Sequence, residues 1–203
     1  MTVRNVNKQE SRGYRMGARA DSAAATGERI LDACTEVFWE RPTDQVSLDE
    51  VARRAGVTRQ TVIRRFGSKG GLLAAAAERE AVRVGRSRAE APTGDVVGAV
   101  AVLVAHYEDY GDRVLRMLAE EDSVAGIREL ADAGRAVHRD WCARVFAPTL
   151  RGLRGAARTR RLAQLVVVCD VMTWKLLRRD CGLSRRETER ALVELLSPIT
   201  EVS

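Results

Sequence analysis

Lysine is scarce in this 203-residue chain: it stands only at Lys8, Lys69 and Lys175, so nearly all of the 34 basic side chains are arginines. A polyanion or an acidic partner would therefore be gripped through planar guanidinium forks. A compositional bias of the genome accounts for the same excess, and the net charge of +6 permits nucleic-acid binding only where it is localised. Cys34, Cys142, Cys169 and Cys181 show no CxxC spacing, which indicates neither a zinc site nor a disulfide framework and suits a reducing compartment. His106 and His138 are far apart in sequence, and HExxH, GxSxG and a Gly-rich phosphate loop are all absent. No catalytic apparatus, metal or cofactor is expected. The start of the chain lacks a signal-peptide core, and no run approaches the ~18 apolar residues of a membrane span, so a cytoplasmic protein without a membrane partner is expected. What remains, 45% hydrophobic residues with 31% charged, fits one or two compact domains and excludes a collagen-like or grossly disordered chain.

Residues 1–20 carry Arg4, Lys8, Arg12, Arg15 and Arg19 against a single Glu10 and few large apolar groups. They read as a flexible basic arm. From Thr26 the pattern changes. Ile30, Leu31, Cys34, Val37 and Phe38 share one helical stripe, with Glu28, Arg29, Asp32 and Glu36 outside it, and this helix ends near Trp39 to Pro42. Ser47-Leu48-Asp49-Glu50 is a capping-box sequence, flanked by Val46 and Val51 where a hydrophobic staple would place them. Leu48, Val51, Ala52 and Ala55 form the buried stripe of a short helix that Gly56 stops.

Thr58 is positioned to cap a third helix, Arg59 to Phe66. Val62 and Phe66 lie one turn apart toward the core, leaving Arg59, Gln60, Thr61, Arg64 and Arg65 facing outward. Gly67-Ser68-Lys69 makes the next break, and Ser68 can cap a fourth helix running to about Arg83. A domain junction is expected between Arg83 and Gly94. This yields a first helical domain over 21–84, with its motif at 47–66, and a second helical domain over 95–203. The second half predicts helices at about 95–109, 112–120, 123–145, 157–180 and 184–196, with no alternating strand pattern. Breaks fall at Gly111, Pro148 and Gly182, and Ser184 to Glu187 repeats the capping-box logic. The fold class is all-α.

A helix, a Gly-containing turn and a second helix with an outward cationic face is the geometry that enters the major groove of B-DNA. Here the sequence resembles the tetracycline-repressor (TetR) family of transcription regulators. The resemblance rests on Thr26 to Val37 as first helix and on SLDEVARRAGVTRQTVIRRFGSKGGLL, Ser47 to Leu73, with its AGV turn and closing F-x-S-K. It implies that Ser47 and Thr58 support or contact phosphate at helix starts and that Lys69 binds phosphate. It further implies that Arg59, Gln60 and Thr61 reach base edges. Arg suits guanine and Gln suits adenine through paired hydrogen bonds, whereas Arg64 and Arg65 suit backbone neutralisation. Two positions depart from the family pattern: Ile63 stands where a phosphate-binding Tyr is common, and Gln60 where a small Gly is common. Arg65 or the basic arm could restore the lost phosphate contact.

The same resemblance implies a homodimer on a pseudo-palindromic double-stranded DNA operator. It also implies a small-molecule effector in the second half that shifts operator affinity, with repression as the family default. Val100, Leu103, Val104, Tyr107, Met117, Leu118, Trp141, Val145, Cys169 and Met172 could line the apolar effector cavity, although residues at such spacing equally make ordinary core. Apolar residues on the helix expected over 157–180 occupy more than one narrow face, which predicts burial on two sides, and the resemblance implies that this helix and the next pair with their copies. Leu162, Val166, Leu176, Leu192, Leu195 and Leu196 are the expected dimer contacts. A transcriptional activator, or a helical ligand-binding or interaction module without DNA binding, remains the alternative reading.

Overall fold

The computed structural model describes residues 6–41, 45–124 and 127–201, with residues 6–20 described in backbone only. Among the described residues every regular element is helical, and the chain divides into two compact units, the first ending at Ala77 and the second beginning at Glu78.

The first unit contains α1 (Val6–Glu40), α2 (Leu48–Arg54), α3 (Arg59–Phe66) and the start of α4 (Lys69–Ala89). α1 begins twenty residues before the start at Thr26 that the apolar pattern suggested. No proline interrupts residues 6–40, and Ala20, Ala23, Ala24 and Ala25 are strong helix formers, so the backbone stays helical upstream of the packed stripe. Met1 to Asn5, and the side chains of the remainder of the expected arm, lie outside the described residues, as does Pro42. The core is the predicted stripe: Ile30, Cys34 and Val37 of α1 meet Val51 and Ala52 of α2, Val62 of α3 and Leu72 of α4, with Val46 closing one end. Each fully buried Val, Leu or Ile here contributes roughly 1.5–3 kcal/mol relative to exposure. Two short helices become stable only by sharing this core, because seven or eight residues cannot hold a helix alone.

The second unit holds the remainder of α4, then α5 (Val96–Ala119), α6 (Ile127–Val145), α7 (Ala147–Leu150), α8 (Gly155–Val168), α9 (Val171–Lys175), a π-helical turn (Leu176–Asp180) and α10 (Arg185–Thr200). Two expectations change here. The predicted break at Gly111 is absent, and α5 runs through it. Gly111 is instead a point of close approach, since a Cβ there would overlap the indole of Trp174.

The single helix expected over 157–180 is interrupted at Cys169 and Asp170. Asp170 caps α9 by accepting from the Met172 N–H at 2.8 Å, and the Thr173 hydroxyl donates to the Val167 carbonyl at 2.6 Å. Both side chains offer the backbone a local alternative to continued helix. At Ser184 the capping box is complete, with the hydroxyl accepting from Glu187 N–H and the Glu187 carboxylate accepting from Ser184 N–H. Polar ties then fix the second unit's helices: Glu108 of α5 accepts from both Trp174 Nε1 at 3.2 Å and Arg178 Nε at 2.9 Å. Among the described residues no helix is long and apolar enough to cross a membrane.

Candidate nucleic-acid interface

α2 and α3 are joined by a four-residue turn, Ala55 to Thr58, in which Gly56 takes a φ of +65°, a conformation that a Cβ penalises. Val57 N–H donates to the Ala52 carbonyl at 2.9 Å and the Arg29 guanidinium donates to the Ala55 carbonyl at 3.4 Å, so the end of α2 is satisfied from both sides. Thr58 caps α3. Its hydroxyl accepts from Thr61 N–H at 3.2 Å and lies 3.0 Å from the Thr61 hydroxyl. An N-cap of this kind typically contributes about 1 kcal/mol.

On α3 the division of faces follows the sequence pattern. Val62 is wholly buried and Phe66 packs on the core. Arg59, Gln60, Arg64 and Arg65 are exposed, with Thr61 and Ile63 intermediate. Arg59 pairs with Asp49 of α2 at 3.3 Å. The Arg65 guanidinium lies against α1 at Gly27 and 6.0 Å from the Phe66 ring centroid. Lys69 opens α4, where Ser68 accepts from Gly71 N–H at 3.1 Å. The structure thus gathers the predicted phosphate and base-reading residues around the starts of α2, α3 and α4, on side chains with solvent access.

The capping box at Ser47 is only half formed. Ser47 accepts from Glu50 N–H at 3.1 Å, but the Glu50 carboxylate turns to Arg53 at 2.8 Å and Arg54 at 3.0 Å instead of returning to the cap. Hydrogen bonds from these two guanidinium groups hold the Glu50 carboxyl down at about 2. Arg54 also reaches Glu40 at the end of α1, at 2.8 Å, and so binds α1 to α2. Arg53 and Arg54 are thus already paired on α2. Their spacing of three and four from Glu50 was the signal that a carboxylate already occupies them.

In the second unit the expected effector residues Val100, Leu103, Val104, Tyr107, Trp141, Val145 and Cys169 are all buried in one cluster, with Leu118 packed on it. Met172 does not belong there: it is 49% exposed, because the break at Asp170 starts a new helix and turns it outward. A cavity of about 270 Å³ lies elsewhere, between α4 and α5, and none of the expected residues lines it.

The expected dimer set also divides. Leu162, Leu192 and Leu196 are buried in the protomer's own core and have almost no surface left to offer a partner. Leu176 and Leu195 are 53% and 45% exposed, joined by Val167 and Met172, while Val166 is partly buried against the core. An apolar helix with two faces shows its composition in sequence but not which face meets its own chain.

Comparison with known proteins agrees with this geometry. Residues 30–76 match the model of bacterial regulatory proteins, tetR family. An uncharacterized HTH-type transcriptional regulator of Mycobacterium tuberculosis is 38% identical over 71 residues, which cover 35% of this chain and 34% of that protein. The match therefore spans about a third of the relative's length. A transcriptional regulator from Rhodococcus sp. Rha1 superposes with a TM-score of 0.65 at 19% identity, over 86% of this chain and 96% of that one. SmeT, solved in complex with triclosan, superposes with a TM-score of 0.62 at 20% identity, over 86% and 91% of the two chains. At such identities the two structures speak for the shared helical fold. The sequence match is confined to residues 30–76, where the helix-turn-helix segment is similar to the tetR family of bacterial regulatory proteins, and the likeness of fold extends beyond it.

Proposed function

We propose that the chain is a cytoplasmic transcription regulator that binds a pseudo-palindromic operator as a homodimer, represses by occupying it, and is released by a small molecule held in its second unit. The observation that carries this reading is α3. A helix anchored by wholly buried Val62 presents Arg59, Gln60 and Thr61 at its start and Arg64 and Arg65 at its end, all with access to solvent. In the major groove the first three would read base edges and the last two, with Lys69, would meet phosphates. A two-fold pair would have to hold its copies of α3 about 34–36 Å apart to engage successive turns. The outward apolar residues Val167, Met172, Leu176 and Leu195 are the surface proposed for pairing. That SmeT, of the same fold, was solved in complex with triclosan supports a small-molecule ligand for this chain. Release requires differential affinity, since a ligand that binds equally to both states shifts nothing.

The test is selection of genomic fragments by the purified full chain, followed by titration at several salt concentrations. Enrichment of one inverted-repeat sequence, with affinity falling steeply as salt rises, is the expected result. Retention without sequence enrichment, or affinity indifferent to salt, overturns the proposal.

A further inference from the structure

Two carboxylates on the cavity between α4 and α5 have no cation of their own. Glu90 and Asp109 both line it, and among the described residues neither makes an ion pair or a hydrogen bond. Arg83 is the one cation in the lining and is already engaged: its guanidinium donates to the Tyr110 hydroxyl and pairs with Glu80 at 3.6 Å. The two carboxylates sit toward opposite ends. α4 and α5 run antiparallel, since Arg83 meets Tyr110 while Arg88, further along α4, lies 5.3 Å from the ring centroid of Tyr107, earlier on α5. Asp109 therefore stands beside the Arg83–Tyr110 pair, whereas Glu90 stands at the Val102 end, away from Arg83.

Carboxylates on a rim are by themselves only a solvated edge. The second observation lies deeper. His106 is 9% exposed, lines the cavity and stacks on Tyr110 at 5.2 Å, yet neither of its ring nitrogens has a hydrogen-bond partner among the described residues. Buried polar groups are ordinarily satisfied, so this edge calls for a partner that the cavity must supply. Burial, then the charge of Arg88, holds the His106 pKa near 3, so the ring is neutral at ordinary pH and takes an uncharged partner. Arg88 is 5% exposed and lies outside the lining, against the Tyr107 and Trp141 rings, with one nitrogen donating to His138 Nδ1 at 3.2 Å. Its charge disfavours a cation at the His106 depth and leaves the rim as the place for one. Between rim and ring the wall is apolar, at Val84, Val102 and Ala105. At about 270 Å³ the cavity has room for roughly nine heavy atoms at about 30 Å³ each.

We propose that the cavity between α4 and α5 binds a compact organic monocation: a primary ammonium on the Glu90 carboxylate, an apolar body over Val84, Val102 and Ala105, and an uncharged hydroxyl at the free edge of His106. Val102 and His106 are one helical turn apart, about 6 Å along α5, which sets the spacing of ammonium and hydroxyl at several bonds. Glu90 is the chosen carboxylate because Arg83 stands by Asp109 and opposes a second cation there. An anion would meet carboxylates at both ends. The inference rests on the reading of the second unit as effector-binding and gives that effector a chemical class.

The experiment is thermal unfolding of the full chain without DNA at pH 7.5, with four probes of one shape: tyramine, phenethylamine, which lacks the hydroxyl, tyrosol, which lacks the charge, and 4-hydroxyphenylacetate, which reverses it. Tyramine is expected to raise Tm by several degrees at millimolar concentration, phenethylamine by less, and the alcohol and the acid not at all. Glu90 is exposed and lies just beyond α4, so Glu90→Gln keeps the fold and is expected to lose the tyramine response. Equal shifts from tyramine and tyrosol, equal shifts from tyramine and phenethylamine, no shift from tyramine, or an undiminished response in Glu90→Gln overturns the proposal. Ala105→Leu narrows the cavity from α5 and leaves both carboxylates in place. Loss of the tyramine response is expected there too, and its full retention overturns the proposal. Operator titration is read separately, so amine binding to a chain that ignores DNA would support the Glu90 site while sinking the regulatory reading, and operator binding without an amine response would do the reverse.

Discussion

The guanidinium of Arg59, first residue of α3, is 3.3 Å from the carboxylate of Asp49 on α2, and both side chains are well exposed, at 58% and 68%. An exposed pair of this kind is worth at most about 1 kcal/mol, so the cation is held in place without being committed. Groove entry would exchange the carboxylate for a guanine edge.

Asp49→Asn should therefore tighten DNA binding severalfold, since it frees Arg59 and removes a negative charge from the interface. Arg59→Ala should relax discrimination at one operator position at a cost of about 1–3 kcal/mol, whereas Lys69→Ala should weaken all sequences and lower the salt slope by about 1. Anisotropy titrations against the operator and its single-base variants separate these outcomes. Weaker binding by Asp49→Asn would mean that the pair orients Arg59 for DNA rather than competing with it.

Glu50 makes a second prediction, concerning the frame under α3. Its carboxyl is held at about 2 by the hydrogen bonds of Arg53 and Arg54, below the ordinary 4.5. A depressed carboxylate stabilises the fold above its unfolded pKa, and this contribution fades as pH falls through 4.5 toward 2. Glu50→Gln keeps the Ser47 cap, which uses the Glu50 backbone, but loses the link through Arg54 to α1. Its Tm should fall by a few degrees at pH 7 and converge on the parent's as pH approaches 2. A deficit that is the same at both pH values would place the effect in packing instead of charge.

Gly111 offers a test of the second unit. Alanine normally stabilises a helix interior by about 1 kcal/mol over glycine. At this position the added Cβ meets the fully buried Trp174 indole, and overpacking of this kind costs about 1–3 kcal/mol. Gly111→Ala is expected to lower stability and to shift tryptophan emission. A more stable variant with unchanged emission would show that Trp174 does not pack against α5 there.

Leu195→Asp bears on self-association. Leu195 is 45% exposed, so the substitution leaves the protomer core intact, while a charge in a paired apolar face opposes association. Sedimentation should show monomers with a normal melting curve and weakened operator binding. The same change at Leu192, which is 1% exposed, should instead unfold the protomer. Dimers surviving Leu195→Asp would move the interface elsewhere.

The contrast between these leucines shows where sequence reading works. The helix-turn-helix segment was legible because its determinants are local: Ser47 and Thr58 cap where they stand in the chain, Gly56 turns it, and Val62 buries one face of an eight-residue helix. The second unit depends on distant pairs. Whether Gly111 breaks α5 is decided by Trp174, and which of Leu192 and Leu195 faces inward is decided by how α10 packs on α5 and α8. Arg88 escaped notice for a related reason: among so many arginines, nothing in its own neighbourhood of sequence distinguishes the one that is buried.

Burial leaves a signature in pH as well. His106 is held near 3, first by desolvation and then by the positive charge of Arg88 and the proximity of His138. The unfolded chain takes up a proton at this residue near 6.5, whereas the folded chain resists until about 3. Between those values the unfolded state binds more protons, so stability is complete above 6.5 and declines on acidification, by at most about 1.4 kcal/mol per pH unit. The lowered carboxylates, Glu50, Glu108 and Asp112 among them, act only below 4.5 or so. Melting curves from pH 7 to 5 thus avoid the carboxylates and report His106 together with the Cys142 thiol, itself lowered to about 6 chiefly by its hydrogen bond with Cys169, so the contribution of His106 is read as the difference between parent and variant. His106→Gln, which stays neutral throughout, should flatten the fall in Tm over that interval. An unchanged slope would mean that the imidazole takes its proton within the fold, and that water reaches a ring here placed against Tyr107 and Tyr110.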